Sequence, residues 1–566
     1  MQIKRQLNQL IGEAAKAAGI PLENPQVTEA GKPEFGDYQF NGAMPLAKLL
    51  KQNPRQIAET LLDHLPQNSL VAKAEIAGPG FINLTLDGEW LAGELEKAFA
   101  DDRLNAGISE TSQKVVVDYS SPNMAKQMHV GHLRSTIIGD SLANLFAFLG
   151  EEVIRQNHIG DWGTQFGMLI AYLEELGEGA EGSLRDLEEF YKAAKKRFDE
   201  DEAFADKSRE YVVKLQGGDV RCLHLWENFI DKSLGHCEEV YGKLHVKLSR
   251  EDVKAESAYN DDLAEIVADL EAKGLLKESR GAKVVFVEGG ENPLIIQKSD
   301  GGYLYATTDL AAIRFRAGVL GAKRISYVVD ARQAGHFRQV FTVARMAGYV
   351  SDDVRLEHVS FGMMLDKSGR PFKTRDGGTV KLIELLEEAV ERAKEAITQK
   401  ESYDEEELEK IAEIVGIGAV KYADLSINRE SNYIFDWDRM LSLEGNTSLY
   451  LQYAYARIRS ILRKYGREPS SGRVRIGDEL ERRLALKLLQ LEDVLRGAAR
   501  EAMPHYITTY LYDLATLFMK FYENNPILRS DVEEPVRQSR LMLAETTART
   551  LKLTLEILGI RVLERL

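Results

Sequence analysis

Two histidines three residues apart, His129 and His132, lie in the tetrapeptide His-Val-Gly-His around Gly131. Imidazoles at a helix N-terminus can donate hydrogen bonds to a phosphate whose charge grows during transfer, and the helix dipole favours that charge. The glycine leaves room for a flat ligand ring against the backbone. A histidine pair could also begin a metal site, but no third ligand lies nearby, and Cys222 and Cys237 form no CxxC pair. The spacing therefore predicts a phosphate site, although without context most such pairs are ordinary surface histidines.

The flanking residues predict the elements that position this pair. Lys114 to Val117 is a run of mostly β-branched residues, which is typical of a buried strand. Apolar residues then recur at helical spacing, which predicts a helix from near Gly131 to Gly150. A strand, a short polar loop and a helix N-terminus would present free backbone amides to an anion.

The longer string around the histidines resembles a known enzyme family. It runs Ser120-Ser121-Pro122-Asn123, then Ala125-Lys126, then His-Val-Gly-His-Leu-Arg-Ser-Thr over 129–136. The histidine word looks like the ATP-binding word of the class I aminoacyl-tRNA synthetases, and the wider string is similar to that of the arginyl-tRNA synthetases. Gln127 departs from the proline usual at its position. The resemblance covers essentially the whole chain and implies an arginine–tRNA ligase.

A second loop completes the ATP site that the resemblance implies. Class I synthetases usually carry the word KMSKS there, and Phe372-Lys373-Thr374-Arg375 occupies its place in this chain. This degenerate form is familiar among arginyl enzymes, in which a lysine upstream of the histidine word compensates. A pentavalent transition state needs cations near both the α- and the β/γ-phosphates, whereas without such a role these residues would be a solvated turn. The resemblance assigns ATP binding to His129, Gly131, His132, Lys126 and Lys373, and catalysis to His129, His132, Lys126, Lys373 and Arg375.

Tyr305 and Asp309 lie four residues apart where a strand is predicted to give way to a helix over Leu310 to Ala317. Such a pair is most often a surface hydrogen bond. A guanidinium group, however, has five donors and a permanent charge, so its receptor needs a carboxylate and further acceptors. The resemblance places Tyr305 and Asp309 on the guanidinium of L-arginine. It places Asp118, Asn123 and Gln333 around the α-amino and carboxylate groups.

Two further surfaces are predicted to bind tRNA. Phe81 and Asn83 follow a Gly-Pro-Gly turn, and the resemblance implies that they stack on and hydrogen-bond a base of the tRNA elbow. Near the C-terminus, Tyr450, Tyr453 and Arg457 combine rings with a cation, which suits unstacked anticodon bases. The alternative at both places is a core aromatic beside solvated polar residues.

The order of predicted elements gives the fold class, a multidomain α/β protein. Residues 1–112 predict a small α+β domain, and residues 113–440 predict a Rossmann-like, doubly wound parallel sheet. A charged, helical insertion interrupts that sheet at about 177–290, with one helix predicted from Leu184 to Leu215. The helical stretch is predicted to end near Leu276 and to be followed by a hairpin over Ala282 to Val287 and Pro293 to Gln297. Residues 441–566 predict an all-α bundle, in which Asp478 to Met503 forms one helix.

Composition narrows the class of protein. The chain has 566 residues and a net charge of −16, which argues against indiscriminate coating of nucleic acid but is compatible with a local basic face for tRNA. Two cysteines fit a reducing cytoplasm, and no apolar run reaches the ~20 residues of a membrane span. We expect ATP with Mg²⁺, L-arginine and tRNA as ligands, no dedicated protein metal site, no DNA or membrane partner, and a monomer.

Two alternatives remain open at this level. Another class I synthetase, such as a cysteinyl enzyme, would share the histidine word but would typically add a zinc site and would not need Asp309. A non-catalytic relative acting as an interaction protein would keep the fold and lose His129, His132 or the carboxylates.

Overall fold

The structure, a computed structural model, describes residues 2–177, 187–289, 292–372, 380–398, 403–469 and 472–566. Its N-terminal unit consists of α1 (Ile3–Ala17), β1 (Val27–Glu29), β2 (Tyr38–Phe40), α2 (Ala43–Leu50), α3 (Pro54–Asp63), β3 (Val71–Ala77), β4 (Phe81–Leu86) and α4 (Gly88–Ala100). The strands form an antiparallel sheet in the order β1-β2-β4-β3. One apolar face of α1 is fully buried, as its helical spacing requires. The predicted α+β architecture is confirmed.

The parallel sheet begins with β5 (Lys114–Asp118), α5 (Val130–Phe148), β6 (Glu152–Gln156) and α6 (Thr164–Leu176). An insertion follows with α7 (Leu187–Glu200), α8 (Glu202–Gln216), α9 (Val220–Leu244), α10 (Asn260–Ala272), β7 (Lys277–Ser279), β8 (Ala282–Val285) and β9 (Leu294–Gln297). The sheet then resumes with α11 (Tyr305–Arg314), β10 (Arg324–Tyr327), α12 (Ala334–Met346) and β11 (Arg355–His358).

The insertion differs from its prediction in one helix. The single helix predicted from Leu184 to Leu215 is wrong, because Asp201 interrupts it and caps α8 by accepting hydrogen bonds from the amides of Ala203 and Phe204. The predicted start of that helix lies outside the described residues. The predicted hairpin is confirmed, since β8 and β9 pair antiparallel, and β7 adds a third antiparallel strand on the other side of β8.

The order of the strands fixes where a ligand can bind. The sheet runs β11-β10-β5-β6 and is parallel throughout, so the chain leaves β5 toward β6 on one side and reaches β10 on the other. In open sheets of this kind, ligands bind at the carboxyl ends of the strands, beside the point where the order reverses. Asp118 stands there, in register with Gln156 and Tyr327. The predicted doubly wound sheet is confirmed.

The C-terminal part is helical, apart from the short parallel pair β12 (Met364–Leu365) and β13 (Tyr433–Ile434). Its helices are α13 (Leu382–Thr398), α14 (Glu405–Leu425), α15 (Trp437–Met440), α16 (Ser448–Tyr465), α17 (Glu479–Leu489), α18 (Leu491–Glu501), α19 (His505–Asn524) and α20 (Glu534–Ile557). The predicted single helix from Asp478 to Met503 is wrong. It breaks at Gln490, whose side chain is buried and donates to the hydroxyl of Tyr38 at 3.4 Å.

Helix α5, which carries the histidine pair, is buried on all sides from Leu133 to Phe146. Arg134 forms an ion pair with Asp424 of α14 at 2.9 Å, and both side chains are almost fully buried. Lys421 of α14 donates to the carbonyls of Leu244 and Gly559 at 2.6 Å. These contacts join the site helix to the insertion, to α14 and to the C-terminal tail.

The N-terminal unit packs on the helical bundle. The guanidinium of Arg482 in α17 forms two hydrogen bonds of 2.7 Å with Asp37, and both side chains are largely buried. Glu492 accepts the amide of Gly107, and Asp493 accepts the amide of Lys4. None of the helices in the described ranges has the length and apolar character that a membrane span requires.

Candidate active site

His129 and His132 cap the N-terminus of α5 with their own rings. His129 is the N-cap residue, and its Nδ1 accepts the amide of Gly131 at 3.0 Å. The amide of His129 donates in turn to Nδ1 of His132 at 3.1 Å, and the two ring centroids lie 4.1 Å apart. Since each Nδ1 accepts a hydrogen bond, each neutral ring carries its own proton on Nε2. The pair therefore offers two Nε2–H donors.

The free amides expected at this helix end are already in use. The amide of Val130 donates to the carbonyl of Val380 at 3.1 Å, and that of His132 donates to the carbonyl of His129 at 2.8 Å. With the two amides bonded to the imidazoles, the backbone donors of the first turn are satisfied. Hydrogen bonding to an anion here falls to the imidazoles instead of the amides, which corrects the expectation from sequence.

Both imidazoles are neutral at neutral pH. Burial, together with a smaller effect of the nearby His129 ring, lowers the pKa of His132 to about 3. Burial and the positive charge of Lys126 lower the pKa of His129 as well. The rings can donate hydrogen bonds but supply no charge, so positive charge at this site must come from lysine or arginine.

The absence of a side chain at Gly131 makes this cap possible. A Cβ at that position would lie 2.7 Å from Cε1 and 2.9 Å from Nδ1 of His129, too close for the ring to stay in place. The space that Gly131 was expected to leave for a ligand ring is therefore bordered by the imidazole of His129.

The loop between β5 and α5 is strained and is held by the insertion. Ser120, Ser121 and Ala125 all have positive φ, which is rare for residues other than glycine. The hydroxyl of Ser120 bonds that of Tyr241 in α9 at 2.8 Å, and the amide of Ala125 donates to Oγ of Ser233 in α9 at 3.0 Å. Sequence analysis assigned α9 no part in the site, and no local pattern marks these two residues as supports.

Asn123 lies exposed at this loop and faces Gly160. Its amide oxygen is so close to the Cα of Gly160 that a Cβ there would overlap it. Asp118 is buried, and its carboxylate pairs with Arg316 at 2.7 Å and accepts the hydroxyl of Ser121 at 2.9 Å. Asp118 is therefore neutralised within the protein by Arg316, a fully buried cation that the sequence did not single out.

Tyr305 and Asp309 both lie on α11, which begins at Tyr305 and not at Leu310 as predicted. Their spacing of four residues within one helix places them on the same face, as expected. Tyr305 is 70% exposed, whereas the carboxylate of Asp309 is mostly buried and accepts Nε2–H of His336 at 2.6 Å.

A second carboxylate, Glu256, lies near Asp309, in a short turn that packs against α11. Burial and the negative charges of Asp161 and Asp309 raise the pKa of Glu256 to about 7. Tyr327 is the partner of Asp118 in β10, and burial, together with the negative charges of Asp118 and Asp309, raises its pKa. A cluster of acids held in a partly dry pocket suits a cation that carries many donors. Sequence analysis missed Glu256, which lies in a short turn of the insertion.

Two of the remaining residues predicted around the substrates, Gln333 and Lys126, are exposed. Gln333 ends a short 3-10 turn directly before α12. Lys126 is exposed, with its ammonium 4.7 Å from the ring centroid of Tyr191 in α7. Lys373 and Arg375 lie outside the described residues.

The predicted elbow-binding residues lie on β4. Phe81 is half-buried beside Gly78 of the turn. Asn83 is buried, and its side-chain oxygen accepts a hydrogen bond from Gln39 at 2.7 Å. Phe81 is thus partly exposed, while the side-chain oxygen of Asn83 is already engaged within the sheet.

The predicted anticodon-binding residues form one surface of α16 with α19. Arg457 donates to the hydroxyl of Tyr453 at 2.7 Å, and its guanidinium lies 5.3 Å from the ring centroid of Tyr522. Tyr450 packs against Tyr512 with centroids 5.7 Å apart. Rings and a cation therefore alternate across both helices, which is an arrangement that can stack with unpaired bases.

Comparison with known proteins identifies the family. Residues 94–437 match the model for the catalytic domain of class I tRNA synthetases (R), residues 451–566 the DALR anticodon binding domain, and residues 1–86 the arginyl tRNA synthetase N-terminal domain. The arginine–tRNA ligase of Alteromonas mediterranea is 54% identical over 98% of both chains. Crystallised arginyl-tRNA synthetase from Plasmodium falciparum is 32% identical with a TM-score of 0.89, and that from Thermus thermophilus is 28% identical with a TM-score of 0.85, each over 100% of both chains. The chain belongs to the arginyl-tRNA synthetases of class I.

Proposed function

We propose that this chain joins L-arginine to its tRNA in two steps at the carboxyl edge of the parallel sheet. The carboxylate of arginine attacks the α-phosphate of ATP in line, which gives arginyl-adenylate and pyrophosphate. The terminal ribose hydroxyl of the tRNA then attacks the mixed anhydride and releases AMP. No protein nucleophile takes part, so positioning and charge stabilisation carry both steps.

The observation that carries this proposal is the acidic pocket around Asp309 and Glu256. A guanidinium would take one oxygen of Asp309 while the other stays bonded to His336, and Glu256 would become charged as the cation arrives. Tyr305 lies on the same face of α11 as a further acceptor. A cysteine or methionine side chain would leave these carboxylates without a partner, which disfavours another class I specificity.

The main-chain end of arginine would lie between β5 and α12. Asn123 and Gln333 offer amide groups for its carboxylate and α-ammonium. Asp118 already accepts from Arg316 and Ser121, so it would contact the α-ammonium through its remaining lone pairs. In this arrangement Arg316 limits the net negative charge near the attacking carboxylate.

The phosphate side would use the imidazole pair and nearby cations. The Nε2–H groups of His129 and His132 would bond the phosphate oxygens, and Gly131 would keep the approach open. Lys126 would leave the ring of Tyr191 for a phosphate, while Lys373 and Arg375 would serve the departing pyrophosphate. Mg²⁺ would enter with ATP and be held by phosphates and water, since the described residues contain no group of three acidic, cysteine or histidine side chains suited to a metal.

The tRNA would contact both ends of the protein. We assign residues 1–112 to the elbow through Phe81 and Asn83, residues 113–440 to catalysis, and residues 441–566 to the anticodon through Tyr450, Tyr453 and Arg457. We also propose that the enzyme works as a monomer, as the family resemblance implies. Two cysteines without a disulfide between them fit a cytoplasmic enzyme.

Pyrophosphate exchange into ATP tests this function directly. Each of the proteinogenic amino acids is offered to the enzyme with and without cognate tRNA. Among the amino acids, we expect only arginine to support exchange. We also expect this exchange to require tRNA, as the family resemblance implies. Exchange driven by cysteine would support a different class I enzyme, and no exchange under any condition would support the non-catalytic alternative.

A further inference from the structure

Lys381 lies directly opposite His129, the N-cap of the site helix. The two residues face each other in an antiparallel bridge, flanked by hydrogen bonds from Val130 to Val380 at 3.1 Å and from Leu382 to Met128 at 2.9 Å. In this kind of pair the Cα atoms are about 4.5 Å apart and both side chains stand on the same face. The side chain of Lys381 therefore begins beside the imidazole that is assigned to ATP.

An acid from the insertion holds the ammonium of Lys381. Glu188, in the first turn of α7, lies 3.3 Å from Nζ of Lys381 and 2.9 Å from Nζ of Lys192. Burial acts to raise the pKa of Glu188, but hydrogen bonds from Lys192 and Lys381 bring it below its usual value. The negative charge of Glu188 also reaches His129, where it partly opposes the effect of burial on the imidazole pKa.

This arrangement does not suit bound triphosphate. A carboxylate near His129 would repel the phosphates that the imidazoles are to bind. Lys381 has a flexible four-carbon stem, and its side chain is 30% exposed, so its ammonium can exchange one anionic partner for another without repacking the core. Lys192 can keep Glu188 paired when Lys381 leaves.

We propose that Lys381 is a further phosphate-binding residue of the activation step, and that Glu188 holds its ammonium beside the site until the triphosphate of ATP binds. The inference rests on the ATP site proposed at His129 and His132. It adds a cation from the strand-like segment that faces the histidines, separate from Lys126 upstream of them. It also gives the insertion a part in ATP binding through α7.

Three variants test this assignment, and pyrophosphate exchange is measured with tRNA present. Lys381→Met removes the charge and keeps the aliphatic stem; we expect kcat to fall about 10- to 100-fold, with little change in the KM for arginine. Lys381→Arg should restore most of that loss. Lys195→Met is the matched control, because it removes another exposed cation of α7, one that pairs with Asp199, and it should stay within about twofold of the unchanged enzyme.

Glu188→Gln separates a phosphate contact from a structural ion pair. If Lys381 serves only to hold Glu188, Glu188→Gln should impair exchange as strongly as Lys381→Met does. The proposal predicts the opposite: a KM for ATP lowered about two- to tenfold, because the ammonium is released and the repulsive carboxylate is gone. Should Lys381→Met fold poorly by its melting temperature, the KM for ATP of Glu188→Gln decides, and an unchanged or raised value overturns the proposal.

His129→Asn distinguishes failure of this inference from failure of the underlying site. Loss of exchange in His129→Asn together with normal exchange in Lys381→Met would overturn the role of Lys381 alone. Normal exchange in His129→Asn would overturn the ATP site and this inference with it.

Discussion

Replacing Asp309 with asparagine removes one charge from the proposed guanidinium receptor and keeps the size of the side chain. In the unchanged protein, one carboxylate oxygen accepts Nε2–H of His336 at 2.6 Å, which leaves the other oxygen for the substrate. Asparagine has only one oxygen. If its carbonyl keeps the bond to His336, its NH₂ group faces the guanidinium, and a donor then meets a donor.

The size of the effect follows from this geometry. A charge-assisted hydrogen bond is worth about 1.5–3 kcal/mol, and about 1.36 kcal/mol corresponds to a factor of ten. Loss of the single available bond to Asp309 should therefore raise the KM for arginine about 10- to 150-fold. The KM for ATP should stay within about twofold, because Asp309 lies on α11 and the imidazole pair lies on α5.

The assay is pyrophosphate exchange with tRNA, run over a range of arginine at saturating ATP and then the reverse. Asp262→Asn is a suitable control, since Asp262 is a partly exposed acid that pairs with Arg314 of the same helix α11 at 2.9 Å. Its loss should leave both KM values nearly unchanged. An arginine KM for Asp309→Asn equal to that of the control would refute the pocket.

Three further predictions concern the pH profile, the histidine cap and the core. Because the pKa of Glu256 is raised to about 7 and guanidinium binds its charged form, arginine affinity measured by calorimetry should increase between about pH 6 and pH 8. Glu256→Gln should flatten this pH profile, and an unaltered slope in that variant would count against the assignment. Gly131→Ala should raise the KM for ATP at least about tenfold by displacing the ring of His129. The free energy of unfolding in urea should change by less than about 1 kcal/mol, since the better helix propensity of alanine offsets the lost cap. A normal KM for ATP would show that the ring can move aside without loss. Arg134→Met should lower the free energy of unfolding in urea by about 3–5 kcal/mol, because it leaves Asp424 buried without its cation. Adding Asp424→Asn should recover part of that loss. A smaller loss in the single variant than in the double variant would contradict this reasoning.

Features encoded by short-range spacing were predictable from the sequence. The strand before the histidines, the helix after them and the shared face of Tyr305 and Asp309 all depend on neighbours within one or two turns, and the structure contains each of them. Helix ends were harder to place. The N-terminus of α11 has no side-chain cap, so nothing local marked Tyr305 as its first residue.

Features set by distant contacts were not predictable. Glu256 lies in a turn, and Arg316 lies at the irregular end of a helix. Each residue belongs to the site only because folding brings it close to an acid that is distant in the chain. The break at Gln490 likewise has no glycine or proline; it occurs where this side chain meets Tyr38 of the N-terminal unit. Local sequence patterns give no signal for such positions, because these depend on contacts between residues that are distant in the chain.

The two-bond contact between Arg482 and Asp37 has a consequence for how an RNA could be recognised. It fastens the part of the protein assigned to the tRNA elbow to the part assigned to the anticodon, so the span between them is constant. With a constant span, an RNA that has the right bases but one base pair more or fewer in the arm between the two binding surfaces would contact only one surface at a time. Length would then be read before sequence.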